Sequence, residues 1–158
     1  MESVVSRVHE IYIAPTGAAP MVGRTAVRAV VGQGLEGDRY ATDAGTFSKT
    51  PHRPDSEVTL IELENIDAFA VETGLPFTSA MSRRNIVTEG VRLNDLIGRE
   101  FLVGSVRLRG IRLCEPCKIL ARNTFYEILP ALNGRAGVRA QILSEGVIRI
   151  GDAVTTQC

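Results

Sequence analysis

The chain opens on an alternation. In VVSRVHEIYI, Val4 and Val8 alternate with polar residues and Ile11 to Ile13 closes the run, which predicts a β-strand. PTGAAP then predicts a turn. In TAVRAVVGQGLEGDRYA, Ala26, Arg28 and Val30 alternate ahead of a glycine-rich loop from Gly32 to Gly37. Residues 42–56, TDAGTFSKTPHRPDS, are polar, hold two prolines and predict a long surface loop. EVTLIE predicts a short strand. ENIDAFAVETG has Ile66, Phe69 and Ala70 at helical spacing, with Gly74 as its stop. SRRNIVTEGVRL begins basic and becomes apolar, and NDLIGREFLVGSVRLRGIRL predicts a turn and two strands. In the second of these, Val106, Leu108, Ile111 and Leu113 share a face only if one extra residue sits near Gly110, where a bulge is natural. Pro116 stands where a first helical turn can begin, and KILARNTFYEILPAL predicts one or two short helices broken at Pro130. GVRAQILSEGVIRIGDAV predicts two strands around Ser144-Glu145-Gly146.

Short strands dominate, strand and helix do not alternate regularly, and no repeat is visible. The expected class is mainly β (α+β): a sheet curled into a barrel with a few short helices against it. A length of 158 residues predicts one domain with a real core. No apolar run approaches the ~18 residues of a spanning helix, so no membrane association is expected. The start, MESVVSRVHEIYIA, lacks a basic head leading into an apolar stretch, which points to the cytoplasm. An odd count of three cysteines suits a reducing compartment. Net charge is zero, so no global basic field favours nucleic acid. Within that zero, only Lys49 and Lys118 of the 18 basic residues are lysines. Arginine is the better fork for phosphate or carboxylate, although composition alone does not establish an anion site.

The candidate chemistry lies in RLCEPCKILAR, where Cys114 and Cys117 stand two residues apart ahead of a predicted helix. Cys-x-x-Cys at a helix start is a redox pattern: one thiol is activated and the other resolves the mixed disulfide. The known redox fold needs βαβ organisation around the motif, and here the motif comes late, after several strands. A structural zinc needs about four ligands. Beyond this pair the chain offers only Cys158, His9 and His52, so no zinc is expected. Two semi-buried thiols that simply pack is the plainest reading. A single working thiolate is the fourth: Cys117 near a helix N-terminus, beside Lys118, after a strand carrying Arg107, Arg109 and Arg112, in surroundings that favour a thiolate and attract anions. Glu115 opposes it. His9, on a presumed strand, reads as a packed or surface residue; His52, in the polar loop, is a weak candidate for a mobile acid.

Three stretches carry a resemblance: GLEGDRY (Gly34 to Tyr40), SRRNIVTEGVRLNDLIGREFLVGSVRLRG (Ser82 to Gly110) and IRLCEPCKIL (Ile111 to Leu120). In that order, with GVRAQILSEGVIRIGD (Gly137 to Asp152) at the end, the chain resembles the MOSC family, the domains found at the C-terminus of molybdenum-cofactor sulfurases and as standalone bacterial proteins. The likeness runs from about Val5 to Val154. It implies a β-rich barrel, and either binding of molybdenum cofactor (molybdopterin) or sulfur transfer to a metal centre through one cysteine. That cysteine aligns with Cys117, which would ligate molybdenum or carry sulfur. The family's Arg-x-Asn-Ile stretch falls on Arg83 and Asn85, as candidates for phosphate and pterin contacts, with Arg84 at a variable position. Gly34 and Gly37 permit close backbone approach near Asp38 and Arg39. Arg39, Arg112 and Lys118 complete the candidate cofactor-binding set. Within these 158 residues neither the added N-terminal barrel of relatives that reduce N-hydroxylated substrates nor a desulfurase portion is expected. A sulfur source would then be a partner, a cysteine desulfurase or a redox protein. A thiol–disulfide protein and a non-catalytic partner-binding module are the rival readings.

Overall fold

A computed structural model of the chain describes residues 6–41 and 53–156. His52, Cys158 and most of the predicted polar loop lie outside these residues. Eleven strands and three short α-helices are described. The larger sheet runs β11 (Val154–Thr156), β7 (Glu100–Val103), β8 (Val106–Leu113), β9 (Val138–Ile142), β5 (Val58–Glu62), β6 (Ile86–Glu89), β1 (Arg7–Ile13), β2 (Val22–Arg24). Every pairing in it is antiparallel except β5 with β6. The parallel pair needs a crossover, and α1 (Leu63–Thr73) supplies it. The sheet curls until the β11 end reaches β1: Arg7 bridges Ala153, the Val8 N–H donates to the Asp152 carbonyl at 2.9 Å, and the Val154 N–H donates to the Ser6 carbonyl at 2.9 Å. A second sheet of β10 (Gly146–Arg149), β3 (Ala26–Val30) and β4 (Gly34–Leu35) packs on it.

The period of two divides the side chains between two cores. Val8, Ile11, Val58, Leu60, Ile86 and Leu108 share the inner one, joined by Val27, Ala29, Leu35 and Ile148 of the small sheet. Ile61 and Val87 point the other way, against Ile66 and Phe69 of α1, Leu120 of α2 (Lys118–Asn123) and Ile128 of α3 (Ile128–Ala131). The helices therefore cover the outer face of β5 and β6. The site lies on this outer side.

The predicted elements meet the observed ones in one place and depart from them in others. The bulge near Gly110 exists, as a register shift against β9 between Gly110 and Arg112. Pro130 does not break a helix: it sits third in α3, within the first turn, where a missing N–H is no loss. The two C-terminal strands do not pair with each other; β9 stays in the barrel and β10 crosses to β3, and the later β11 was not anticipated. Of the predicted surface loop, Arg53 and Pro54 are exposed but Asp55 and Ser56 are buried.

Candidate functional site

The strand β8 ends at Leu113, and the chain runs through Cys114, Glu115 and Pro116 to Cys117, the N-cap of α2. The Cys117 Sγ accepts the Leu120 N–H at 3.4 Å and is half-buried, whereas Cys114 is buried. Both are free thiols. All four of these residues line a cavity of about 520 Å³. Six arginines share its wall: Arg39, Arg53, Arg83, Arg84, Arg112 and Arg139. Only two carboxylate side chains, Asp55 and Glu115, are among the described lining residues, so the cavity is strongly cationic.

Each arginine is placed differently. Arg84 is 8% exposed and reaches under the cysteine loop. Its Nε donates to the Ala136 carbonyl at 2.8 Å, and its Nη2 to the carbonyls of Cys114 at 2.9 Å and Glu115 at 3.5 Å. Arg83 takes a left-handed backbone, φ 58°, rare without glycine. Its guanidinium donates to the Ala19 and Gly17 carbonyls at 2.7 and 3.0 Å. Burial, and then the charge of Arg39, lower its pKa from the ordinary arginine value. Arg39 donates to Asp38 at 2.9 Å and to the Arg83 carbonyl at 2.9 Å. The fully buried Asp38 also accepts the Ala14 N–H at 3.0 Å, so GLEGDRY does structural work as well as lending Arg39 to the wall. Gly34 is required there, since a Cβ would stand 2.8 Å from the Glu57 carbonyl oxygen at φ +145°.

Arg112 and Arg139 are direct cross-strand partners on β8 and β9. Two like charges so placed repel. Asp55 offsets this: its Oδ2 accepts from Arg112 Nε at 2.7 Å and its carbonyl from Arg139 Nη1 at 3.2 Å, with Arg53 Nε at 3.8 Å from Oδ1. Burial alone would raise the Asp55 pKa, but the bond and charge of Arg112, then Arg53 and Arg139, hold it below the usual carboxylate value. Arg139 is 8% exposed, and its buried Nε has no hydrogen-bond partner. Two guanidinium groups stand over the Tyr40 ring, Arg39 at 4.6 Å and Arg139 at 5.8 Å from its centre. Burial works to lower the Arg139 pKa, while Cys114, Tyr40 and Asp55 outweigh it and raise it.

The structure thus brings together Cys117, Arg83, Arg84, Arg39 and Arg112. It places two other candidates elsewhere. Asn85 is fully buried and off the wall. Its Oδ1 accepts from the Thr59 N–H at 3.0 Å and its Nδ2 donates to the Tyr12 carbonyl at 3.1 Å, stitching β5 to β1. Lys118 is exposed and is not among the lining residues. His9 is a surface residue between Glu10 and Glu89. Sequence reasoning missed Arg139, Asp55, Arg53 and Tyr40. The available signal for Arg139 was an arginine between Val138 and Ala140 in an apolar strand. Among the described residues no cluster of three or more His, Cys, Asp or Glu could hold a bare metal ion. No helix of the described chain is long and apolar enough to cross a membrane.

A curled, mostly antiparallel barrel with an arginine-walled cavity opening onto a cysteine loop defines the class. The MOSC domain family model matches residues 47–155, and the chain belongs to that family. The match takes in Arg83, Asn85 and both site cysteines, and begins after GLEGDRY. Among solved structures, the YuaD protein of Bacillus subtilis superposes with a TM-score of 0.76 at 16% identity, covering 97% of both chains. YiiM from Geobacillus stearothermophilus gives 0.74 at 16%, over 97% of this chain and 75% of that one. YiiM from Escherichia coli gives 0.68 at 17%, over 96% and 70%. At these identities the likeness is one of fold. No curated protein sequence matches the chain.

Proposed function

We propose that the cavity binds molybdenum cofactor, or a closely related phosphorylated metal-bearing anion, and that Cys117 is the residue that ligates its metal or carries sulfur to it. The observation that carries this reading is the single cavity in which Cys117 meets six arginines. The donor set fits the group. Guanidinium forks suit a phosphate, a thiolate suits a soft or high-valent metal, and the buried, unpaired Nε of Arg139 is a donor with bonding capacity left. The cofactor, when bound, supplies a metal centre open to a thiolate ligand. The chain's own residues do the rest: Arg112 and Arg139 add charge from the barrel strands, Arg39 and Arg83 from two separate loops, and Arg84 fixes the carbonyls behind Cys114. Asn85 serves at one remove, by holding the strand end from which Arg83 and Arg84 project.

The test is copurification from cells that make the cofactor, comparing the natural chain with Cys117→Ala for molybdenum, pterin fluorescence and cyanide-labile sulfur. Signals present in the first and lost in the second are expected. Equal signals in both end the reading, and capture of a desulfurase or reductase that survives loss of both thiols favours a partner-binding module instead.

A further inference from the structure

The proposed function uses Cys117 and leaves Cys114 idle, yet Cys114 lines the same cavity. The pair differs in exposure: Cys117 is half-buried and Cys114 is 3% exposed. A sulfur donor reaches the first more readily than the second. The loop between them is held at both ends. The Cys114 N–H donates to the Gly137 carbonyl at 2.8 Å, its carbonyl accepts from Arg84, and Cys117 is tied to α2 through the Leu120 N–H. Cys114 is also among the neighbours that raise the pKa of the Arg139 guanidinium.

Chemistry supplies a reason for a second thiol. A persulfide on Cys117 holds its outer sulfur at the neutral, sulfane level. A metal-bound sulfide ligand is two electrons richer. A carrier with one cysteine cannot provide those electrons, whereas a Cys-x-x-Cys pair can.

We propose that Cys114 is a resolving thiol, which attacks the Cys117 persulfide and releases the carried sulfur as hydrosulfide inside the arginine-walled cavity. This rests on the sulfur-carrying form of the proposed function. The step balances. Cys114, its proton given to solvent, attacks the Cys117 Sγ; the bond from that Sγ to the outer sulfur breaks; a Cys114–Cys117 disulfide forms and HS⁻ leaves. The two cysteine sulfurs are each oxidised by one electron and the outer sulfur is reduced by two. A dithiol reductant then restores both thiols. The cavity suits the product, because six guanidinium groups hold an anion beside the place where it is formed.

The experiment is a single turnover on the full chain. Reduced, desalted protein is loaded with inorganic polysulfide, freed of excess, and followed without reductant. Three readouts are taken: hydrosulfide released, cyanide-labile sulfur retained, and the mass loss of two hydrogens that marks a disulfide. The natural chain should release about one equivalent of hydrosulfide per chain as the labile sulfur disappears and the disulfide appears. Cys114→Ser should keep its labile sulfur and release hydrosulfide more slowly by roughly tenfold or more. Cys114→Ala should behave the same, and melting curves check that both variants are folded. Cys117→Ser should neither load nor release. Hydrosulfide release from Cys114→Ser and Cys114→Ala at the natural rate overturns the proposal, as does stable labile sulfur on the natural chain. In the latter case Cys117 still carries sulfur and the carrier reading stands. Failure of both the natural chain and Cys114→Ser to take up labile sulfur overturns the two together.

Discussion

Replacing Arg84 with methionine removes the support under the cysteine loop without adding bulk. Arg84 makes two short bonds, 2.8 Å to the Ala136 carbonyl and 2.9 Å to the Cys114 carbonyl, and two longer ones, 3.2 Å to the Ser82 carbonyl and 3.5 Å to the Glu115 carbonyl. A hydrogen bond with a charged partner contributes about 1.5–3 kcal/mol net. The two short bonds alone give a gross loss of about 3–6 kcal/mol, plus a smaller amount for the longer two. Against this, a guanidinium that is only 8% exposed carries a desolvation cost that methionine does not. The expected net loss is therefore about 2–4 kcal/mol, a large share of the ~5–15 kcal/mol that holds a typical domain. For a chain of this size that is a fall of roughly 5–15 °C in melting temperature. Urea titration measures the first quantity and a melting curve the second. Alkylation of Cys114 reads the local effect, because its carbonyl loses its partner and the buried thiol should open and react faster. A loss below about 1 kcal/mol, together with unchanged alkylation, would refute the idea that Arg84 is the keystone of this loop.

Three further outcomes are expected. Asn85→Ala should cost about 2–3 kcal/mol in denaturant titration, since it strands the buried Thr59 N–H and Tyr12 carbonyl; a loss near zero removes the stitching role. Asp55 has a folded pKa below its unfolded value of about 3.9, so its contribution is present above that pH and is lost as pH falls through the folded value. The stability gap between the natural chain and Asp55→Asn, measured in denaturant across this range, should accordingly shrink in acid; a constant gap refutes the assignment. Tyr12 is pushed up to about 12 by burial and by its bond to Glu10, so it favours the fold below pH ~10 and that contribution is lost as pH rises toward 12. Phenolate absorbance should show one tyrosine ionising late, and Glu10→Gln should bring it part of the way back.

How much was legible in the sequence follows from the range of the interactions involved. Local patterns were readable because their causes are local. Gly74 ends α1 in the left-handed conformation, and the one-residue slip in apolar alternation between Leu108 and Ile111, at Gly110, signals the bulge. Cys117 was readable because Pro116 and the helix start fix its place within three residues. Arg139 was not, because its role depends on β9 pairing with β8 and β5, and on α2 and Asp55 arriving over the same face. An arginine in a strand otherwise reads as facing solvent. Asn85 failed to separate from Arg83 for a similar reason. Neighbours two apart in sequence straddle the turn into β6, so one side chain enters the sheet and the other reaches the loop at Gly17 and Ala19.

The strands that form the inner core also provide the floor of the cavity: Arg112 and Arg139 sit on β8 and β9, whose alternate residues, Leu108, Val138 and Ala140, fill the barrel. An anion bound there, as proposed, would be coupled to global unfolding through shared backbone and would raise the melting point of the entire molecule with the logarithm of its concentration. Heating the protein against a panel of candidate anions then makes the barrel its own thermometer for the proposed occupant.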